Sequence, residues 1–94
     1  MNKELKKISE LIIEDVDPRR IILFGSRAKD KFTDSSDYDL AIDSKNISFR
    51  IKRRLKDRIE EIIGLRSIDL VFLKDVDVDF KKIILETGKI IYER

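Results

Sequence analysis

Residues Arg20-Ile21-Ile22-Leu23-Phe24-Gly25-Ser26-Arg27-Ala28 run into a polar segment and then into Asp37-Tyr38-Asp39-Leu40-Ala41-Ile42-Asp43. These two pieces decide the reading of the chain. The first is a short apolar run that predicts a buried strand, 20–24, broken by Gly25-Ser26 into a turn or short helix. The second alternates in the manner of a strand over 37–43. Side chains alternate along a strand, so Asp37 and Asp39 point to one face, ~6.5–7 Å apart along the backbone. Tyr38 points to the other face, as a packing residue. Two carboxylates converging this way repel unless a cation neutralises them. The pair suits Mg²⁺, which takes oxygen ligands, often one or two carboxylates with substrate phosphates. Two such ions can clamp the attacking and leaving oxygens of a phosphoryl transfer.

Gly25 lets backbone approach a phosphate closely, and the N–H groups after it favour an anion. The Ser26 hydroxyl can donate to a phosphate oxygen. Arg27, and Lys29 after it, add positive charge. Asp69 is a third candidate, because it interrupts the apolar run Ile68-Asp69-Leu70-Val71-Phe72. A carboxylate in such a strand needs a partner. If this strand lies beside 37–43, Asp69 completes the acidic cluster, as a metal ligand and as the base for an attacking hydroxyl. Taken singly, each feature has a plainer reading. Gly-Ser is commonly a turn, Asp-x-Asp a solvated strand edge, and Asp69 a partner for a lysine.

Working outward, Leu5, Ile8, Leu11, Ile12 and Val16 recur at spacings of three and four and predict an amphipathic helix over 2–16. Asp17-Pro18 ends it, since the residue before proline leaves the helical region. Residues 30–36 read as a loop. A long helix is expected over 47–63, with Ile51, Leu55, Ile59, Ile62 and Ile63 inward and Gly64 as its C-cap. A third strand is expected at 67–73, and a helix at 77–87 that uses Val78, Ile83 and Ile84. Gly88 closes that helix, and 89–92 form a short strand. The order α-β-β-α-β-α-β predicts an α/β (α+β) fold, a small mixed β-sheet with helices packed mainly on one face. The acidic site is expected on the other, open face or at its edge.

The chain has 94 residues, which predicts one domain over 1–94. It contains no cysteine and no histidine, which excludes disulfides, thiolate chemistry, the common zinc sites and Ser-His or Cys-His catalysis. Chemistry here must come from carboxylates, cationic side chains and bound metal. Charged residues make up 43%, against about a quarter in an average domain, yet the formal net charge is only +2. Such balance does not call for nucleic acid as the primary partner. The charged N-terminus lacks a signal-peptide core, and no run approaches the ~20 apolar residues of a membrane span. No membrane association is expected, and the cytoplasm is the expected location.

Ten residues, Arg27 to Ser36, separate Ser26 from Asp37-Tyr38-Asp39. The spaced pattern Gly25-Ser26-Arg27-Ala28 … Ser36-Asp37-Tyr38-Asp39-Leu40-Ala41 resembles the signature of the DNA polymerase β-like nucleotidyltransferase superfamily. It looks most like the minimal nucleotidyltransferase (MNT) proteins, over nearly the whole chain. The resemblance implies that Gly25 and Ser26 bind a triphosphate, that Asp37 and Asp39 bind two Mg²⁺ ions, and that Asp69 is the third metal-site carboxylate. It implies transfer of a nucleoside monophosphate from a nucleoside triphosphate, with release of pyrophosphate. Asp30 departs from the pattern, where the family frequently has glycine. The small size is similar to that of the antitoxin class, whose partner is a HEPN-domain ribonuclease toxin. The resemblance therefore implies an antitoxin that adenylylates a tyrosine of its toxin with ATP. The alternative is a non-catalytic antitoxin, or nucleotide-binding module, that masks its partner by binding.

Three further features bear on partners. Residues 50–58 carry six basic side chains. They read as a surface for RNA or an acidic partner, or more simply as a solvated helix face balanced by Glu60 and Glu61. Asp43 shares the face of Asp37 and Asp39 but lies at the strand end, beyond the site. Asp75, Asp77 and Asp79 alternate like a calcium loop but lack its glycine and terminal glutamate, which leaves a solvated turn with helix-start charge.

The chain is rich in Ile, Lys, Glu and Arg, with no Gln and few Asn. This resembles a heat-adapted composition. Calorimetry is expected to give a melting temperature above ~80 °C, beyond the mesophile range; melting near 50 °C would contradict that expectation.

Overall fold

In the computed structural model, residues 2–29 and 37–94 are described. The expected loop over 30–36, with Asp30 and Ser36, lies outside them. Each helix starts where a short polar side chain takes up an otherwise orphaned backbone N–H. Helix α1 (Lys3–Val16) is capped by Asn2, whose side chain accepts from the N–H of Leu5. It stops at Asp17, which takes a left-handed conformation before Pro18. Helix α2 (Phe49–Ile63) is capped by Ser48 and ends at Gly64, whose φ of 66° a residue with a side chain adopts only under strain. Helix α3 (Val78–Thr87) is capped by Asp77, with Asp79 in its first turn, as the acidic turn predicts.

Strands β1 (Arg20–Phe24), β2 (Tyr38–Asp43), β3 (Ile68–Phe72) and β4 (Lys89–Glu93) form one mixed sheet in the order β3-β2-β1-β4. β1 pairs antiparallel with both β2 and β4, and β2 pairs parallel with β3. The parallel pair needs a long crossover, and α2 supplies it. Backbone bonds from Tyr38 N–H to Ser67 and from Leu73 N–H to Ile42 extend the β2–β3 ladder by one residue at either end. This matches the expected strand limits of 67 and 73.

Alternation divides the sheet into two faces. One carries Ile21, Leu23, Tyr38, Leu40, Ile42, Ile68 and Phe72, all buried against α1 and α2. From α1 come Leu5, Ile8, Ile12 and Val16; from α2 come Leu55, Ile59 and Ile63. The other face carries Ile22, Ala41 and Leu73, covered by Ile84 of α3, with Phe24, Val71, Val76 and Phe80 packed around them. Two of the three α-helices among the described residues thus share one face, as expected. The opposite face is not open throughout, because its apolar side chains require a cover and α3 provides it.

The inner side of α3 also differs from the expected one. Val78 and Ile83 are exposed, while Phe80 and Ile84 face the sheet. Asp77 caps the helix, so Val78 is its first residue and the inward pair is the i, i+4 pair 80/84.

Helix α2 is held to α1 by charge as well as by apolar packing. The buried Asp15 carboxylate accepts from Arg58 at 2.7 Å and Arg54 at 3.3 Å. Arg58 also reaches Glu14, and Lys52 pairs with Asp75 at 2.7 Å. Half of the basic run 50–58 is therefore spent inside the fold, with partners on α1 and the β3–α3 turn in the place of Glu60 and Glu61.

The burial contrast on α3 yields a direct test. Ile84→Ala should cost about 2–5 kcal/mol in urea unfolding, whereas Ile83→Ala, at an exposed position, should stay within about 0.5 kcal/mol. Equal costs at the two positions would contradict the packing of α3 on the sheet.

Candidate active site at the Gly25–Ser26 turn

β1 ends at Phe24, and the chain passes directly into a single 3₁₀ turn, Gly25–Arg27, tied by a bond from Lys29 N–H to the Ser26 carbonyl. Gly25 has a φ of 73°. A Cβ at this position would collide with Oδ2 of Asp39 and lie 3.0 Å from its Cγ. Glycine is thus required twice over, by the backbone conformation and by the carboxylate lying against it. The exposed Ser26 follows immediately on the same turn.

The pairing register explains why Asp39 is there. In the sheet it sits between Phe24 of β1 and Asp69 of β3. Cross-strand partners share a face, so Asp39 and Asp69 emerge together on the face that α3 partly covers. Asp37, just before β2, shares that face by alternation. Asp37 and Asp69 are exposed and Asp39 is half-buried. Burial, first, and then the charges of Asp69 and Asp37 push the Asp39 carboxyl above its ordinary range. Phe24 meets Phe80 of α3 edge to face, with centroids 5.9 Å apart, forming an apolar wall beside the acids. Phe80 was not expected here. Its i, i+4 spacing to Ile84 after the Asp77 cap is the signal that places it.

Among the described residues, no group of three or more acidic side chains is gathered closely enough to hold a metal ion by itself. The donor set nevertheless suits a hard divalent cation, which needs only one or two carboxylates when phosphate and water complete its shell. Burial and the neighbouring charges, which raise the Asp39 carboxyl, are costs that a bound cation would relieve.

Other candidates lie elsewhere. Asp43 is bound to Arg20 at 2.9 Å, at the far end of β2, and stands outside the site as expected. Arg27, expected to lend charge to the phosphates, is placed on the other side of the sheet from the acids. It is only 5% exposed, and its guanidinium lies over the Tyr38 ring, 4.0 Å from the centroid. Tyr38 faces the α1–α2 side, so Arg27 is turned away from the acids toward the flat π surface available there. The Tyr38 hydroxyl donates to Glu4 at 2.7 Å. Burial, then this bond, push its phenol above the ordinary value. Glu4 in turn pairs with Arg66, just ahead of β3.

The polymerase beta, nucleotidyltransferase family matches residues 6–94. The chain belongs to this family. Solved structures agree in fold with this nucleotidyltransferase-family chain. A toxin–antitoxin crystallised with AMP-PNP superimposes with a TM-score of 0.83 at 21% identity, over 99% of this chain and 75% of that one. An MNT antitoxin in complex with a tri-AMPylated HEPN toxin of Shewanella oneidensis gives 0.76 at 19%, over 97% and 71%. A toxin–antitoxin MntA-HepT gives 0.75 at 19%, again over 97% and 71%. Comparison with curated proteins finds no match. Among the described residues, no helix is long and apolar enough to cross a membrane.

The carboxyl of Asp39 titrates higher in the folded than in the unfolded chain. Its contribution to stability is full below the unfolded value near 3.8 and is lost as pH rises through the raised one. Asp39→Asn should therefore raise the melting temperature of metal-free protein at pH 7 and remove the further gain on adding millimolar Mg²⁺. A lower melting temperature for the variant would contradict the charge strain described here.

Proposed function

We propose that the chain is a Mg²⁺-dependent nucleotidyltransferase that moves AMP from ATP to a tyrosine hydroxyl of a HEPN-type toxin partner, and so acts as an antitoxin. The observation that carries this reading is the contact of the Asp39 carboxylate with Gly25. It joins a phosphate-suited turn to an acidic face with no room for any other side chain between them. In this reading the Ser26 hydroxyl and the turn's backbone N–H groups bind phosphate oxygens. Asp37 and Asp39 hold the metal, with Asp69 as the third carboxylate. The bound cations supply Lewis-acid stabilisation of the charge on the transferring phosphoryl group.

The reaction forms a bond from the tyrosine oxygen to the α-phosphorus and breaks the bond from that phosphorus to the bridging oxygen of pyrophosphate. Asp69 is exposed on an edge strand, so a large acceptor can reach it, and its carboxylate takes the hydroxyl proton. The AMP-PNP complex and the AMPylated toxin among the similar structures support ATP and a HEPN toxin as the substrates. A masking antitoxin, the alternative, has no physical need of a glycine shaped to an aspartate.

The test is incubation of the full chain with α-labelled ATP, Mg²⁺ and the HEPN-type protein encoded beside it. Label should appear on a toxin tyrosine, require Mg²⁺, and fall to background with Asp37→Asn plus Asp39→Asn. Labelling that survives the double substitution overturns the mechanism. Toxin neutralisation by the folded, non-labelling double variant would establish masking.

A further inference from the structure

The residue between the two aspartates of β2 is the hub of a network on the opposite face of the sheet. Tyr38 is 1% exposed. Over its ring, at 4.0 Å, lies the guanidinium of Arg27, the residue that follows Ser26. Its hydroxyl donates to Glu4 of α1, and Asn2 reaches the same hydroxyl at 3.5 Å. Glu4 also pairs with Arg66, whose guanidinium is 5.9 Å from the Tyr38 centroid, two residues before Ile68 opens β3. One side chain thus touches groups from each segment that bears a site residue. These are the Gly25–Arg27 turn, the start of β2, and the approach to Asp69.

The cost of this arrangement argues that position matters here. A guanidinium that is nearly fully buried has surrendered most of its water. An arginine has a long, flexible side chain that would ordinarily carry its charge out to solvent from a turn of this kind, and a single 3₁₀ turn is only weakly held by its own hydrogen bonding. Asp39 presses a partly buried negative charge against Gly25, and Asp37 and Asp69 add repulsion from the same side.

Resting on the function proposed above, we propose that Arg27 is a positioning residue. Its stack on Tyr38 holds the Gly25–Ser26 turn in register with Asp37 and Asp39, from the face of the sheet away from the substrate. Arg27 touches no substrate; it fixes where Ser26 and the turn's N–H groups stand relative to the acids. Misplacement by about 1 Å at a reacting centre is enough to cost about 100-fold, so loss of the stack weakens the site in a chain that is still folded.

The experiment compares wild type with Arg27→Met, Arg27→Lys and Arg54→Met, the last losing the same charge at an exposed arginine whose partner Asp15 keeps Arg58. Two readouts are taken: hydrogen exchange at the amides of 26–29 in nucleotide-free protein, and Mg·ATP affinity by calorimetry. Arg27→Met should speed exchange at the turn about tenfold or more, while core amides in β2 stay protected. It should weaken Mg·ATP binding by about 10- to 100-fold. Arg27→Lys, which keeps a cation over the ring, should recover most of both. Arg54→Met should match wild type in both.

A folded Arg27→Met with wild-type exchange and affinity overturns the inference. So does a Met variant that lowers the melting temperature alone, since that is the signature of packing without positioning. If Arg27→Met does not fold, Glu4→Gln tests the network from its α1 end; unchanged turn exchange there overturns the proposal. Wild-type protein that binds no Mg·ATP overturns the proposed function instead. The exchange comparison then judges the stack by itself, with unchanged protection against it and localised loss in its favour.

Discussion

The carboxylate of Asp39 rests against the backbone of Gly25, and most of the structure can be understood as what makes that contact tolerable. Gly25 contributes a left-handed turn with no side chain. β1 and β2 pair in the one register that brings Phe24 opposite Asp39, so that the turn closes over the acid. Asp69 faces Asp39 from β3 and raises the local charge further. A sheet with only an apolar cluster at this end would be more stable without metal. The retained repulsion is what a counter-ion would relieve, which is why the proposed function rests on this end of the sheet.

Both faces of the sheet contribute to this one site. The α1–α2 face supplies most of the core and, through Tyr38, the tie to Arg27 and Glu4. The α3 face supplies the acids and the Phe24–Phe80 wall. Because alternate residues of β2 serve the two faces, Asp37-Tyr38-Asp39 compresses both requirements into three positions. The central aromatic is thus the reverse side of the site as well as core.

Much of this was legible in the residues. Period-3.6 apolar positions placed α1 and α2, and strand alternation placed Asp37 and Asp39 on one face with Tyr38 opposite. Asp69 stood out because a carboxylate in an apolar strand demands an explanation. The inner side of α3 was not legible in the same way. Val78, Ile83 and Ile84 are equally apolar, and only the cap at Asp77 and the packing on Ile22 and Ala41 select Phe80 and Ile84. The surroundings of Arg27 were hidden for a related reason. A cation after Gly-Ser suits a phosphate, and local sequence does not reveal a buried aromatic ring eleven residues on. The partners of the α2 arginines were also non-local, since Asp15 lies 43 residues from Arg58.

The parallel pairing of β2 with β3 has one more consequence. Asp69 is flanked by Ile68, buried against the helices, and Leu70, which packs at the same core. A slip of one residue between these strands would drive the Asp69 carboxylate into an isoleucine-rich interior and lift an apolar side chain into water. Misregistration at the third acid therefore carries a penalty set by the whole core rather than by the site. The hydrophobic interior acts as a proofreader: a chain that folds stably has, by the same act, assembled its acids in the correct order.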